Sequence, residues 1–192
     1  QCDWSSDVCS SDLVFSTTVS AQNNCLKPTN LTHRVHEPAR LNYKFIGGSW
    51  TDATKQCVID AFYSWNIALR QGNRKIQFIS TPFRPVNISI VRSPLPVEIG
   101  GALTDIKLGD KNYFQSSGLI ITSDTQIVNN CSTIYKITLH EIGHILGLAD
   151  FTYNKFVSDR PIPSVMNAMG GNDDDREFIP LFPTVCDINA IP

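Results

Sequence analysis

His140-Glu141-Ile142-Gly143-His144 sets two imidazoles four positions apart with a carboxylate next to the first. On a helix that spacing brings both histidines onto one face, one turn apart, so both rings can reach a single metal ion. Zinc suits imidazole, and two histidines plus one further ligand leave a position open for water. Bound zinc brings the pKa of such a water down to about 7, and Glu141 stands beside it to take the proton. The five-residue pattern alone is short, and its plain alternative is a helix with two surface histidines. The residues after it narrow the choice. Gly147 follows His144 by three and Asp150 follows Gly147 by three. A glycine can leave the helix through a left-handed turn and send the chain back. Asp150 is then the expected third ligand. Ile142, Ile145, Leu146 and Leu148 supply the apolar faces that a core helix needs.

A helix carrying this motif needs a scaffold. The spacing predicts it over about Cys131 to Leu148, capped by Asn130 or Ser132. Upstream, Leu41 to Ile46 alternates apolar and polar residues as a half-buried strand does, and Gly47-Gly48 ends it. Thr51 or Asp52 can cap a helix reaching about Gln71, with Val58, Ala61, Phe62, Trp65 and Leu69 on one apolar face. Strand-like segments follow at Lys75 to Ser80, Val86 to Val91, Ala102 to Leu108 and Gly118 to Thr122. This order implies an α/β or α+β layer domain with the sheet against two long helices. Beyond Ala149 the chain reads as irregular, with a helix expected to start at Asp187 and to be cut short at Pro192.

The chain of 192 residues is 42% hydrophobic and 18% charged, a folding composition for one domain. Its formal net charge of -2 argues against a nucleic-acid or membrane-surface partner, and no apolar run is long enough to span a bilayer. Residues 1–12 contain a near-tandem repeat without periodicity and read as foreign sequence. Leu13 to Ala21 reads as the remnant of a signal peptide cleaved before Gln22. The expected catalytic domain is therefore residues 22–192, secreted and monomeric. Without Cys2 and Cys9, the cysteines are Cys25, Cys57, Cys131 and Cys186, enough for two disulfides with three possible connectivities. Asn30, Asn87 and Asn130 each begin a glycosylation acceptor pattern.

With His140, Glu141, His144, Gly147 and Asp150 in this order, the sequence resembles the metzincin clan of zinc metallopeptidases. Most of that clan ends the motif with histidine; an aspartate there is the form of its snapalysin-like members. The resemblance implies a zincin-like fold, one catalytic zinc ion and peptide or protein substrates. It also implies a methionine turn below the zinc, for which Pro163-Ser164-Val165-Met166 is the candidate and Met169 the runner-up. The helix through Ala61-Phe62 and Trp65-Asn66, and the stretch Pro180 to Ile191, resemble the first and last helices of the matrixin branch. Gly101, Ala102, Leu103 and Thr104 lie where that branch has its edge strand, which pairs with extended substrate.

Other candidates have plainer readings. His33 and His36 sit in a polar lead-in and read as surface histidines. Asp173-Asp174-Asp175 could hold calcium, but no full calcium-loop pattern follows, so a solvated loop is the plain reading. Glu177 competes with Asp150 for the third ligand position, and the Gly147 turn favours Asp150. Cys25 faintly resembles an inhibitory propeptide cysteine, but its neighbours do not match. The expected function is secreted zinc-dependent endopeptidase activity with Glu141 as general base. The alternative is a zinc-containing binding module of the same fold without turnover.

Overall fold

Alternating side chains carry the chain from Ala39 to Gly47 as an extended strand, β1, with Leu41 and Tyr43 buried. The protein is seen here as a computed structural model, and the structure describes residues 33–83, 85–96, 101–124, 130–150, 164–166 and 180–192. After β1, Thr51 opens helix α1 (Asp52–Gln71) through a reciprocal cap: its hydroxyl accepts from the Thr54 amide, and the Thr54 hydroxyl accepts from the Thr51 amide. The apolar face read from spacing is the buried one: Val58, Ala61, Phe62, Trp65 and Leu69 are fully enclosed.

Strands β2 (Ile76–Ser80), β3 (Ile88–Ser93), β4 (Ala102–Leu108) and β5 (Phe114–Thr122) come next, then α2 (Cys131–Ile145) and a short α3 (Val185–Ala190). The five strands form one mixed sheet in the order β2-β1-β3-β5-β4. All neighbours are parallel except β4, which runs antiparallel to β5. The architecture is α+β, as expected. Three strands differ from the sequence reading by two residues or more. β1 starts two residues earlier, β3 is shifted to Ile88–Ser93, and β5 begins at Phe114 rather than Gly118. In β5 a polar residue, Ser117, takes a buried position, which hides the alternation there.

One face of the sheet, carrying Leu41, Tyr43, Phe78, Ile88, Ile90, Leu119 and Ile121, belongs to the same core as the helices. Phe62 joins the layers: its ring stacks on Tyr43 at 4.1 Å and meets Phe78 edge-on at 5.2 Å. The helices are fixed to each other twice. The buried Trp65 indole donates to the Leu139 carbonyl at 2.8 Å, one residue before the first motif histidine. A Cys57–Cys131 disulfide ties α1 to the start of α2. Closing a loop with a sequence separation of 74 contributes about 4 kcal/mol in the chain-entropy account. Cys186 is also disulfide-bonded, to a partner outside the described residues.

The two edges of the sheet are treated differently. At the β2 edge, the Asn66 carboxamide acts as a short substitute strand. Its Nδ2 donates to the Phe78 carbonyl at 2.9 Å and its Oδ1 accepts from the Phe78 amide at 2.8 Å. At the other edge, no strand among the described residues pairs with the outer side of β4. The Thr122 amide donates to the Gly101 carbonyl, and Ala102 lies opposite Ile121. Antiparallel pairing alternates hydrogen-bonded and non-hydrogen-bonded positions. The main-chain groups of Ala102, Thr104 and Ile106 therefore turn away from β5, toward the open edge. Replacing Asn66 with Ala strands both polar groups of Phe78. We expect a loss of about 1–2 kcal/mol, measured by urea unfolding.

Candidate metal centre

Asn130 Oδ1 accepts from the Thr133 amide at 2.8 Å and starts α2. The helix ends at Ile145 rather than Leu148, because Gly147 takes φ 93 and turns the chain out. The Leu148 amide reaches back to the Gly143 carbonyl and the Gly147 amide to the His144 carbonyl, both at 3.0 Å. That is the Schellman pattern of helix termination. A side chain at position 147 would also meet the His33 carbonyl at 2.6 Å and the Pro192 ring at 3.0 Å. Only glycine fits this turn, both for its backbone angles and for the space around it.

The turn returns the chain to the helix face that carries the histidines. Asp150 Oδ1 lies 2.9 Å from His140 Nε2 and 3.4 Å from His144 Nε2. A tetrahedral ion with bonds of about 2.1 Å holds neighbouring donors about 3.4 Å apart, which is the spacing of the His144 contact, while the His140 contact is of hydrogen-bond length. Donor atoms of His140, Glu141 and His144 also lie within 4.8 Å of one another. The other ring nitrogens are engaged. His140 Nδ1 lies 3.0 Å from the Val165 carbonyl and His144 Nδ1 lies 2.9 Å from the Leu148 carbonyl. A carbonyl only accepts, so each Nδ1 carries the hydrogen and each Nε2 is left to face the shared point. The charges agree with the geometry. Burial, the largest influence on His140, lowers its pKa, but the Asp150 hydrogen bond, the Glu141 charge and the Val165 carbonyl together raise it above the ordinary value. Asp150 is held below its ordinary value, chiefly by the hydrogen bond from His140. A zinc ion would take the place of the shared proton.

Val165 belongs to the short turn 164–166, and Met166 in it is fully buried. Its sulfur packs against Gly143, in the middle of the motif, so tightly that any side chain at 143 would overlap it. The turn is anchored in turn by Asp187, which is completely enclosed near the start of α3. Asp187 Oδ1 accepts from the Ser164 hydroxyl at 2.6 Å. Its Oδ2 accepts from the Thr184 amide at 2.7 Å and from the Val165 amide at 3.3 Å. Burial pushes Asp187 above the ordinary carboxylate pKa, against the hydrogen bonds from Ser164, Thr184 and Val165.

The structure thus brings His140, His144 and Asp150 together, sets Glu141 beside them and puts Met166 against the motif helix. Ala102 and Leu103 lie on the edge strand, with Gly101 in the turn before it. His33 departs from the sequence reading. It is buried, not on the surface, and its Nε2 meets the Ile145 carbonyl at 3.3 Å. The lead-in is pinned as well, since Arg34 pairs with Tyr113. His36 is exposed and lies against the Tyr113 ring. Met169, Asp173 to Asp175, Glu177 and Cys25 lie outside the described residues, as do residues 1–21 with the expected leader. The sequence reading puts Thr104 on the edge strand but misses its contact, a hydroxyl that donates to Glu141 Oε2 at 2.5 Å, and it misses the Ser164–Asp187 pair. The only signal for either was the spacing of Thr184 and Asp187, which suits a helix cap.

Comparison of the sequence with protein-family models and with curated proteins gives no match. Among solved structures, the chain is similar to high choriolytic enzyme 1, a hatching-enzyme zinc protease from Oryzias latipes (medaka fish). The TM-score is 0.46 at 13% identity, over 84% of this chain and 92% of that one. It is also similar to metalloproteinase-II from Bacteroides fragilis, with a TM-score of 0.42 at 13% identity, over 85% of this chain and 60% of that one.

Two outcomes test the supports of the site. Gly143→Ala drives a methyl group into Met166 and should cost about 1–3 kcal/mol in denaturant unfolding. Asp187 should make stability depend on pH in a specific sense. Its folded pKa is raised, so its contribution is fully present below the unfolded value and is lost as pH rises through the folded value. Wild type should therefore gain stability relative to Asp187→Asn as pH falls from neutral into the carboxylate range, measured by urea unfolding at several pH values.

Proposed function

We propose that this chain is a secreted zinc-dependent endopeptidase of the metzincin type, with aspartate as third ligand in the manner of the snapalysin-like members. The observation that carries the reading is the convergence of His140 Nε2, His144 Nε2 and Asp150 Oδ1, with both Nδ1 atoms locked on main-chain carbonyls. When bound, zinc supplies Lewis acidity, polarising a carbonyl oxygen and acidifying a water. His140, His144 and Asp150 would hold it. Glu141 is only 7% exposed and stands next to the ligands, where its carboxylate takes a proton from the attacking water and passes it to the departing amine.

The open edge of β4 supports a peptide substrate. Main-chain groups of Ala102 and Thr104 face outward there, and an extended peptide can add to them as a further strand. Thr104 also touches Glu141, so a peptide laid along this edge passes beside the general base. Disulfides at Cys57–Cys131 and at Cys186 fit an oxidising compartment, which supports secretion.

Glu141→Ala tests the assignment. The variant should keep one zinc ion per chain, read by elemental analysis, and hydrolyse a denatured protein substrate about 10²–10⁴-fold more slowly. Hydrolysis at the wild-type rate would remove Glu141 from the chemistry.

A further inference from the structure

The Glu141 carboxylate stands at the end of a flexible side chain, and helix α2 does not itself fix where the oxygens go. Glu141 is nevertheless buried, and among the described residues a single side chain donates to its carboxylate. That residue is Thr104, whose Oγ1 lies 2.5 Å from Oε2 and 3.3 Å from the Glu141 carbonyl oxygen. The carboxylate contact is much the shorter, and at 3.3 Å the carbonyl contact is the weaker one. The hydroxyl therefore donates to Oε2. This leaves Oε1 to take a proton.

Thr104 sits in the middle of the outward-facing series on β4, between Ala102 and Ile106. Its neighbours Leu103 and Asp105 point the opposite way and are exposed. One residue thus presents its main chain to the open edge while its side chain reaches inward to the base. We propose that Thr104 is a positioning residue that fixes the Glu141 carboxylate and sets it in register with a peptide held on the β4 edge. This rests on the peptidase reading above. A hydrogen bond from the helix's own face would hold the base relative to the metal ligands only. A hydrogen bond from the edge strand holds it relative to the substrate as well. An error of about 1 Å in such an alignment is worth on the order of 10²-fold in rate.

The test compares wild type, Thr104→Val and Thr104→Ser in the full chain. Valine keeps the shape and β propensity of threonine but cannot donate, whereas serine keeps the hydroxyl. In crystal structures, the Glu141 carboxylate should leave its place in Thr104→Val and keep it in Thr104→Ser, with zinc content unchanged in both. On a peptide substrate, Thr104→Val should lower kcat about 10–100-fold with KM within about twofold, and Thr104→Ser should recover most of kcat. A carboxylate that stays in place in Thr104→Val, or an unchanged kcat, overturns the proposal. So does a rise in KM alone, which would make Thr104 a residue of the substrate strand only. If wild type cleaves no peptide, the peptidase reading falls and the crystal structures decide the positioning claim by themselves: displacement in the valine variant supports it and an unmoved carboxylate refutes it.

Discussion

Each imidazole of the candidate metal centre has its Nδ1 tied to a main-chain carbonyl, and each of those carbonyls lies in a turn that the chain makes after α2 has ended. The helix spaces the two histidines, but it cannot choose their tautomers or aim their rings. Leu148 does so for His144 and Val165 for His140. Both turns need support of their own. The first depends on Gly147, whose left-handed backbone and crowded surroundings admit no other residue. The second depends on Asp187, which is buried and pulls Ser164 and Val165 into place from α3. A site of five residues within one short motif is thus held by contacts from the far end of the chain.

The same logic runs through the layers around α2. Trp65 donates to Leu139 and the Cys57–Cys131 disulfide clamps the helix start, so α1 fixes both the position and the register of the motif helix. Thr104 approaches from the sheet side and Met166 packs against Gly143. Pressed from three directions, α2 has little freedom to shift, which is what a metal site needs if its donors are to stay aligned. The two edges of the sheet differ among the described residues. Asn66 occupies the β2 edge, and β4, whose outer side pairs with no strand among the described residues, runs beside Glu141.

Much of the scaffold could be read from residue order. The apolar face of α1 and the limits of β4 follow from local periodicity, and Gly147 and Asp150 mark the turn after the motif by spacing alone. The readings that missed did so for physical reasons. Ile145, Leu146 and Leu148 keep a helical rhythm past the point where backbone hydrogen bonding changes, so the helix end was placed three residues late. His33 has polar neighbours in sequence but is buried against the end of α2, a tertiary effect that periodicity does not carry. Thr104 and Glu141 are 37 residues apart, and Ser164 and Asp187 are 23 apart. No local pattern joins such partners. The disulfide partner of Cys57 was open among three connectivities and needed the packing of α1 on α2 to decide it.

The most direct test of the account is metal-dependent hydrolysis. The purified chain would be incubated with a denatured protein substrate as isolated, after dialysis against a zinc chelator, and after return of one equivalent of zinc. The account predicts cleavage that stops on chelation and returns with zinc. Cleavage that survives complete removal of zinc, or a folded and zinc-loaded chain that cuts nothing, would contradict it.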